Sequence, residues 1–244
     1  MPDKNLIKTR FKKSLKTYND NAGIQNIMAE RLVGMLDKNE FGSVFEIGCG
    51  SGILTAHIKN KIIYGVYTGN DIVCESKAYI TKIIPECLFA AGDIEKINTG
   101  LKYDLIISNA CLQWCGDFEK TLDKLMSMLN PKGVLAFSVF GDRNLEEVKN
   151  IMDVGLTYYC FKDFQAVLNK YNVLAVKEEI EKIYFNDPRD VLRHLKYTGV
   201  NIFSSGSFNK RKLKEFEEIY KKNYLQDNKV SLTYHPFYAV LRAG

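Results

Sequence analysis

Three short stretches rich in glycine or acid each follow an apolar run. The first is Glu46-Ile47-Gly48-Cys49-Gly50-Ser51-Gly52. Its glycines alternate, unlike the G-x-G-x-x-G spacing that cradles a pyrophosphate. A tight turn without β-carbons lets a ligand lie against the backbone. A turn with no ligand is the plainer alternative. The second is Asp71, 19 residues after Gly52. A carboxylate there can accept both hydroxyls of a ribose, and Asn70 can share the role. Its plainer reading is a solvated strand-end aspartate. The third is Gly92-Asp93-Ile94-Glu95. Asp93 is placed to meet an adenine amino group while Ile94 packs on the ring. The alternative is an aspartate that caps a helix. Three signals in succession weigh more than one. A ligand with an amino-acid end, a ribose and an adenine answers all three, and S-adenosylmethionine has those parts.

The next apolar run ends in Ser108-Asn109-Ala110-Cys111-Leu112-Gln113-Trp114. Many nucleic-acid amino-methyltransferases carry N-P-P-Y here to hold a flipped base. That tetrapeptide is absent. The run instead resembles the N-A-x-L-Q-W ending of carboxylate O-methyltransferases. Asn109 and Ile72 join the expected cofactor-binding set. Gln113 and Trp114, the single tryptophan, join the substrate side, although a packing role suits Trp114 equally.

These residues need elements that hold them. Ser43–Ile47, Tyr64–Asn70, Cys87–Ala91, Asp104–Asn109 and Val134–Phe140 read as strands. Helices over 53–59, 73–84 and 118–129 alternate with them, and Pro131-Lys132-Gly133 reads as a turn. That alternation predicts an α/β Rossmann-like fold, a mostly parallel, doubly wound sheet with helices on both faces. Its ligands sit at the carboxyl ends of the strands. A long helix is expected over 6–37, where Ile24, Ile27, Met28, Leu32 and Met35 recur at helical spacing. Further helices are expected over 144–156, 162–169 and 209–224. Strands are expected over 173–184 and 229–241, with Gly199–Gly206 as a loop. Asp187 and Pro188 can open a helix that runs to Lys196. The chain then reads as one methyltransferase domain over 1–244. It comprises an N-terminal helical cap (1–40), a cofactor-binding core (43–140) and a helical insertion (about 187–225) before the last strand of a seven-stranded sheet.

The 244 residues are 46% hydrophobic and 26% charged, enough for a buried core. Net charge is +5. The excess favours an acidic partner without demanding nucleic acid. Basic residues cluster over Lys4–Lys16 and Lys210–Lys222, and a solvated helix face is the plain reading of each. The six cysteines form no C-x-x-C pair, and His57, His194 and His235 lie far apart, so no metal is expected. Scattered thiols and a polar, basic N-terminus suggest the cytoplasm, with no membrane span.

From end to end the chain resembles the malonyl-acyl-carrier-protein O-methyltransferases of biotin synthesis. The resemblance rests on Arg10-Phe11 through Tyr18 to Ala22 and Gln25, and on the Asn109–Trp114 run. It also rests on Ser138-Val139-Phe140-Gly141, Asn144–Glu147, Gly155-Leu156 and Leu232–His235. Its most restrictive segment is Leu192–Asn201. Cys49 with Ser51, and the ending of the second strand, are mild departures. The resemblance implies that Glu46 orders the glycine turn and that Tyr18 closes over S-adenosylmethionine. The acceptor it implies is the free carboxylate of a malonyl thioester on acyl-carrier protein, with S-adenosyl-L-homocysteine as by-product. A carboxylate is already an anion at neutral pH, so no general base is required. Positioning and removal of water remain. Gln113, Arg143, Arg193, His194 and Lys196 are candidates to hold the carboxylate; a structural role is the alternative for His194, and a solvated surface role for Arg143 and Arg193. Two other readings stay open: a small-molecule carboxylate methyltransferase of the trans-aconitate kind, and an inactive scaffold. A monomer without nucleic-acid partners is expected.

Overall fold

The computed structural model of the protein describes residues 3–152, 156–199 and 210–244. The chain begins with three helices, α1 (Lys4–Ser14), α2 (Tyr18–Asn21) and α3 (Gly23–Gly34). Alternation follows: β1 (Glu40–Ile47), α4 (Ile53–Lys61), β2 (Ile63–Asp71), α5 (Lys77–Ile83), β3 (Leu88–Ala91), β4 (Tyr103–Asn109), α6 (Phe118–Ser127) and β5 (Leu129–Phe140). The second half holds α7 (Glu146–Ile151), α8 (Phe161–Leu168), β6 (Asn172–Glu178), β7 (Glu181–Phe185), α9 (Pro188–Tyr197) and α10 (Lys210–Tyr224). It ends with β8 (Leu225–Gln226), β9 (Lys229–Tyr234) and β10 (Pro236–Arg242).

Seven strands form one sheet in the order β3-β2-β1-β4-β5-β10-β6. The pairs from β3 through β5 are parallel, and β10 runs antiparallel to both β5 and β6. This is the expected Rossmann-like α/β sheet. Alternate residues of a strand face opposite sides. Val44, Leu105 and Ile107 accordingly pack with Met28, Leu32, Ile58 and Ile80 on one face. Phe45, Ile47 and Ile106 pack with Leu122, Leu125, Phe137 and Phe164 on the other. The β3–β4 connection returns the chain beside β1, so the strand order reverses between β1 and β4. Such a reversal opens a crevice at the strand ends.

Several elements differ from expectation. The long helix over 6–37 is three helices. Ser14 and Thr17 hydroxyls donate back to the Phe11 and Ser14 carbonyls at 3.1 and 3.2 Å, and the Asn21 amide donates to the Thr17 carbonyl at 2.8 Å. Side chains of this kind compete with helical pairing. The helix expected over 73–84 begins as a 3-10 turn at Cys74–Ser76. Pro131-Lys132-Gly133 is a kink inside β5, with Lys132 at φ 62°. The helix expected from 144 begins only at Glu146, because Leu145 before it is left-handed at φ 58°; residues 153–155 of the expected span lie outside the described residues. Gly155, Val200, Asn201 and most of the Gly199–Gly206 loop lie outside the described residues.

The two late strands each divide. β6 belongs to the large sheet, whereas β7 joins β9 and β8 in a three-stranded sheet. β9 and β10 separate at His235. The two breaks face each other: the Glu179 amide donates to the Pro236 carbonyl at 3.0 Å, and His235 Nε2 lies 2.7 Å from Glu178 Oε1. One antiparallel ribbon thus bends across both sheets. The period-two pattern continues through such a bend, so it marks no boundary.

Candidate active site

The switch point opens into a cavity of about 970 Å³, solvent at its mouth included. Its floor is the loop between β1 and α4. Gly48, Gly50 and Gly52 adopt φ of 68°, 52° and 89°, values a β-carbon disfavours. At Gly48 the need is also spatial, since a β-carbon would lie 2.3 Å from the Cys111 sulfur. Asp71, at the end of β2, ties the loop down. One carboxylate oxygen accepts from the Gly50 amide at 2.8 Å and the other from the Val73 amide at 2.7 Å. Burial raises its pKa to about 6, against the pull of those two bonds.

Glu46 is fully buried beneath the loop. Its Oε2 accepts from the Tyr67 hydroxyl at 2.6 Å and from Thr55 at 2.8 Å. Its Oε1 is buried without a partner. Burial dominates, and the pKa rises to about 8. Asp93 and Ile94 line the cavity beyond β3. The Asp93 carboxylate accepts from the Glu95 amide at 3.1 Å and lies 3.3 Å from the Lys4 ammonium. The capping alternative for Asp93 is therefore realised in a one-turn form, and the residue still faces the cavity.

The roof comes from the N-terminal helices. Lys4, Ile7, Phe11, Ser14, Leu15 and Tyr18 recur at spacings of three and four, and all line the cavity. Phe11 meets Trp114 edge-on, with centroids 5.5 Å apart, and lies 6.4 Å from Tyr18. Ser51 of the glycine loop donates to Asn19 of α2 at 2.5 Å. Lys4 also pairs with Glu95 at 2.5 Å, and Glu95 accepts from the Gly116 and Asp117 amides. Of the six roof residues Lys4, Ile7, Phe11, Ser14, Leu15 and Tyr18, the sequence singles out only Tyr18 for the site. The stripe 4-7-11-14-15-18 was the available signal, and the basic residues between its members obscured it.

Of the expected cofactor-binding residues, Tyr18, Glu46, Gly48, Gly50, Asp71, Ile72, Asp93, Ile94 and Asn109 line this one cavity. Gly52 stands just behind, as the residue before α4. Asn109 is fully engaged: its amide donates to the Gln25 carbonyl at 2.9 Å, and its oxygen accepts from Ser138 at 2.6 Å. Gln25 also lines the cavity, with a buried Oε1 that has no partner. The thiols of buried Cys49 and half-buried Cys111 have pKa values raised by desolvation, so they stay protonated at neutral pH.

The substrate-side candidates divide. Trp114 lines the cavity. Gln113 turns into its own turn, donating to the Ala110 carbonyl at 2.8 Å. Arg143, Arg193, His194 and Lys196 do not line it. Arg143 is engaged by Glu146 at 2.9 Å and Arg193 by Asp190 at 2.8 Å, each one turn away on the surface. Lys196 is exposed. His194 is half-buried against the Tyr234 hydroxyl at 2.7 Å, and burial lowers its pKa to about 4. It is neutral at pH 7. Tyr234 in turn lies close enough to Tyr18 for that neighbour to disfavour its ionisation.

A nucleoside cofactor with hydroxyl and ammonium donors and a cationic centre suits this set of acceptors. Carboxylates stand at the ends of β1 and β2 and beyond β3, two of them held partly protonated by burial, and Glu46 keeps an unfilled acceptor. The match to a family model described as a methyltransferase domain covers residues 21–210. A relative from Calditerrivibrio nitroreducens, named malonyl-[acyl-carrier protein] O-methyltransferase, is 41% identical over 96% of this chain and 95% of its own. One of the same name from Chlorobium luteolum is 34% identical over 99% and 96%. The chain belongs to the malonyl-[acyl-carrier protein] O-methyltransferase family. The fold of this chain is similar to that of the N-methyltransferase NodS from Bradyrhizobium japonicum WM9, solved with S-adenosyl-L-homocysteine. That structure has a TM-score of 0.52 and 16% identity, over 88% of this chain and 85% of its own. Among the described residues no helix is long and apolar enough to cross a membrane.

Proposed function

We propose that this member of the family methylates the free carboxylate of a malonyl thioester on acyl-carrier protein, using S-adenosylmethionine, as a monomer in the cytoplasm. The observation that carries this reading is a likeness to the named relatives that runs the whole length of the chain, across both the sheet and the segments outside it. The cofactor supplies a methyl group on a positively charged sulfur. The glycine loop and Asp71 hold its amino-acid and ribose parts, Asp93 and Ile94 its adenine, and Ile72 packs beside them. Glu46 and Asn109 fix the loop and the end of β4.

The acceptor carboxylate is already charged, so the chain need supply no base. What it must supply is alignment and exclusion of water. Tyr18, Phe11 and Trp114 form the wall that does so. Burial keeps the Tyr18 hydroxyl protonated, so it can donate to the carboxylate. His194 acts at one remove, by holding Tyr234 beside Tyr18. Gln113 shapes the turn that presents Trp114. Arg143, Arg193 and Lys196 have no part in this reading, because their charges lie away from the cavity.

The test is a methyl-transfer assay on malonyl-carrier protein, malonyl-coenzyme A and trans-aconitate. The reading expects the carrier thioester to show the highest kcat/KM. A preference for trans-aconitate would replace it with the small-molecule alternative. No transfer and no cofactor binding would leave an inactive scaffold.

A further inference from the structure

We propose that the outer face of α1 is the docking surface for the acidic carrier protein; this rests on the function proposed above. Lys4, Lys8, Lys12 and Lys16 are spaced one turn apart along α1 and the turn after it, with Arg10 and Lys13 beside them. No acidic residue occurs between Asp3 and Asp20. Like charges at this spacing repel and weaken a helix, so stability does not favour the arrangement.

The charges divide by direction. Lys4 and Lys12 reach the body of the protein, where they pair with Asp93 and Glu95, and with Glu75. Lys8, Lys13 and Lys16 are exposed, and Arg10 is half-buried. None of these four has an ion-pair or hydrogen-bonding partner among the described residues. The inner stripe of the same helix roofs the cavity. A partner seated on the outer face is then one helix diameter, about 10 Å, from the methyl-transfer site.

The other basic cluster also holds exposed cations without a partner among the described residues, Lys210, Arg211 and Lys222, but it does not roof the cavity. On α10, Lys214 pairs with Glu218 at 3.7 Å and Lys221 with Asp187 at 2.8 Å, and Lys212 is also engaged. Glu215, Glu217 and Glu218 interrupt its charge, and none of its residues lines the cavity. Unpaired positive charge beside the site is what steers an acidic partner.

The experiment compares the native chain with a triple variant, Lys8→Glu with Lys13→Glu and Lys16→Glu. A control reverses Lys210, Arg211 and Lys222 instead. Substrates are malonyl-carrier protein and malonyl-pantetheine, whose arm is uncharged. We expect the α1 variant to raise KM for the carrier about tenfold or more. KM for malonyl-pantetheine and affinity for S-adenosylmethionine should stay unchanged, and the control should match the native chain. If the α1 variant fails to fold, the matching glutamine variant replaces it, with a rise of about threefold expected. An unchanged carrier KM, with the native chain active on the carrier, overturns the docking surface alone. A native chain that methylates malonyl-pantetheine but not the carrier thioester overturns the function proposed above, and the docking surface with it.

Discussion

Glu46 and Asp71 are carboxyl groups whose burial works against their charge. Their pKa values rise from 4.5 to about 8 and from 3.8 to about 6. A folded-state pKa above the unfolded value means that the folded chain binds protons more tightly. The contribution to stability is complete below about pH 4 and is lost as pH rises through about 6 and then about 8. The ligand-free protein should therefore melt at lower temperature at pH 8 than at pH 5, and Glu46→Gln should flatten that slope. A slope that survives Glu46→Gln unchanged would remove Glu46 as its source. A cationic ligand favours the charged forms. Cofactor binding near pH 7 should thus release protons, seen as a calorimetric heat that varies with the ionisation enthalpy of the buffer. Asp71→Asn should keep the fold and weaken cofactor binding about tenfold to a hundredfold, the size of a hydrogen bond to a charged group. Wild-type affinity in that variant would detach Asp71 from the ligand.

Elements set what was readable. The glycines of the β1–α4 loop announce themselves because a left-handed turn has few other solutions, and Asp71 and Asp93 follow from strand ends. The roof was harder to see. Basic residues flank the inner stripe of α1, and the segment over 6–37 reads as one helix until Ser14, Thr17 and Asn21 turn their side chains onto the backbone. The charge of Arg143 and Arg193 made them candidates for the acceptor site, yet Glu146 and Asp190 one turn away already match them. Periodicity cannot show which neighbour a surface charge will choose. The roof has a testable consequence. If Lys4, Phe11 and Tyr18 close over the cofactor, hydrogen exchange along α1 should slow several-fold when S-adenosylmethionine binds. Lys4→Met should remove most of that protection by releasing Asp93 and Glu95. Equal exchange with and without cofactor would show that α1 is a fixed wall.

At the scale of the molecule, the reversal in strand order between β1 and β4 brings the ends of four strands to one cavity. That much was legible, because alternating strands and helices permit few topologies. The second sheet was not, since a strand that passes from one sheet to another keeps its pattern. His235 marks the passage. It is buried, accepts the Arg143 amide at 3.1 Å on Nδ1, and meets Glu178 through Nε2. His235→Phe leaves the part-buried Arg143 amide without its acceptor and the Glu178 carboxylate without its imidazole partner, and should cost about 1–3 kcal/mol in denaturant unfolding. A change below about 0.5 kcal/mol would mean that the bend holds without it. The central claim concerns the whole assembly: sheet, roof and cavity direct a methyl group to a malonyl carboxylate. The most direct test is the mass spectrum of malonyl-carrier protein after incubation with the enzyme and S-adenosylmethionine labelled in its methyl group. One labelled methyl on the terminal carboxylate, released as methanol by mild alkali, is the predicted result. An unchanged carrier mass, or a label that alkali does not release, would contradict it.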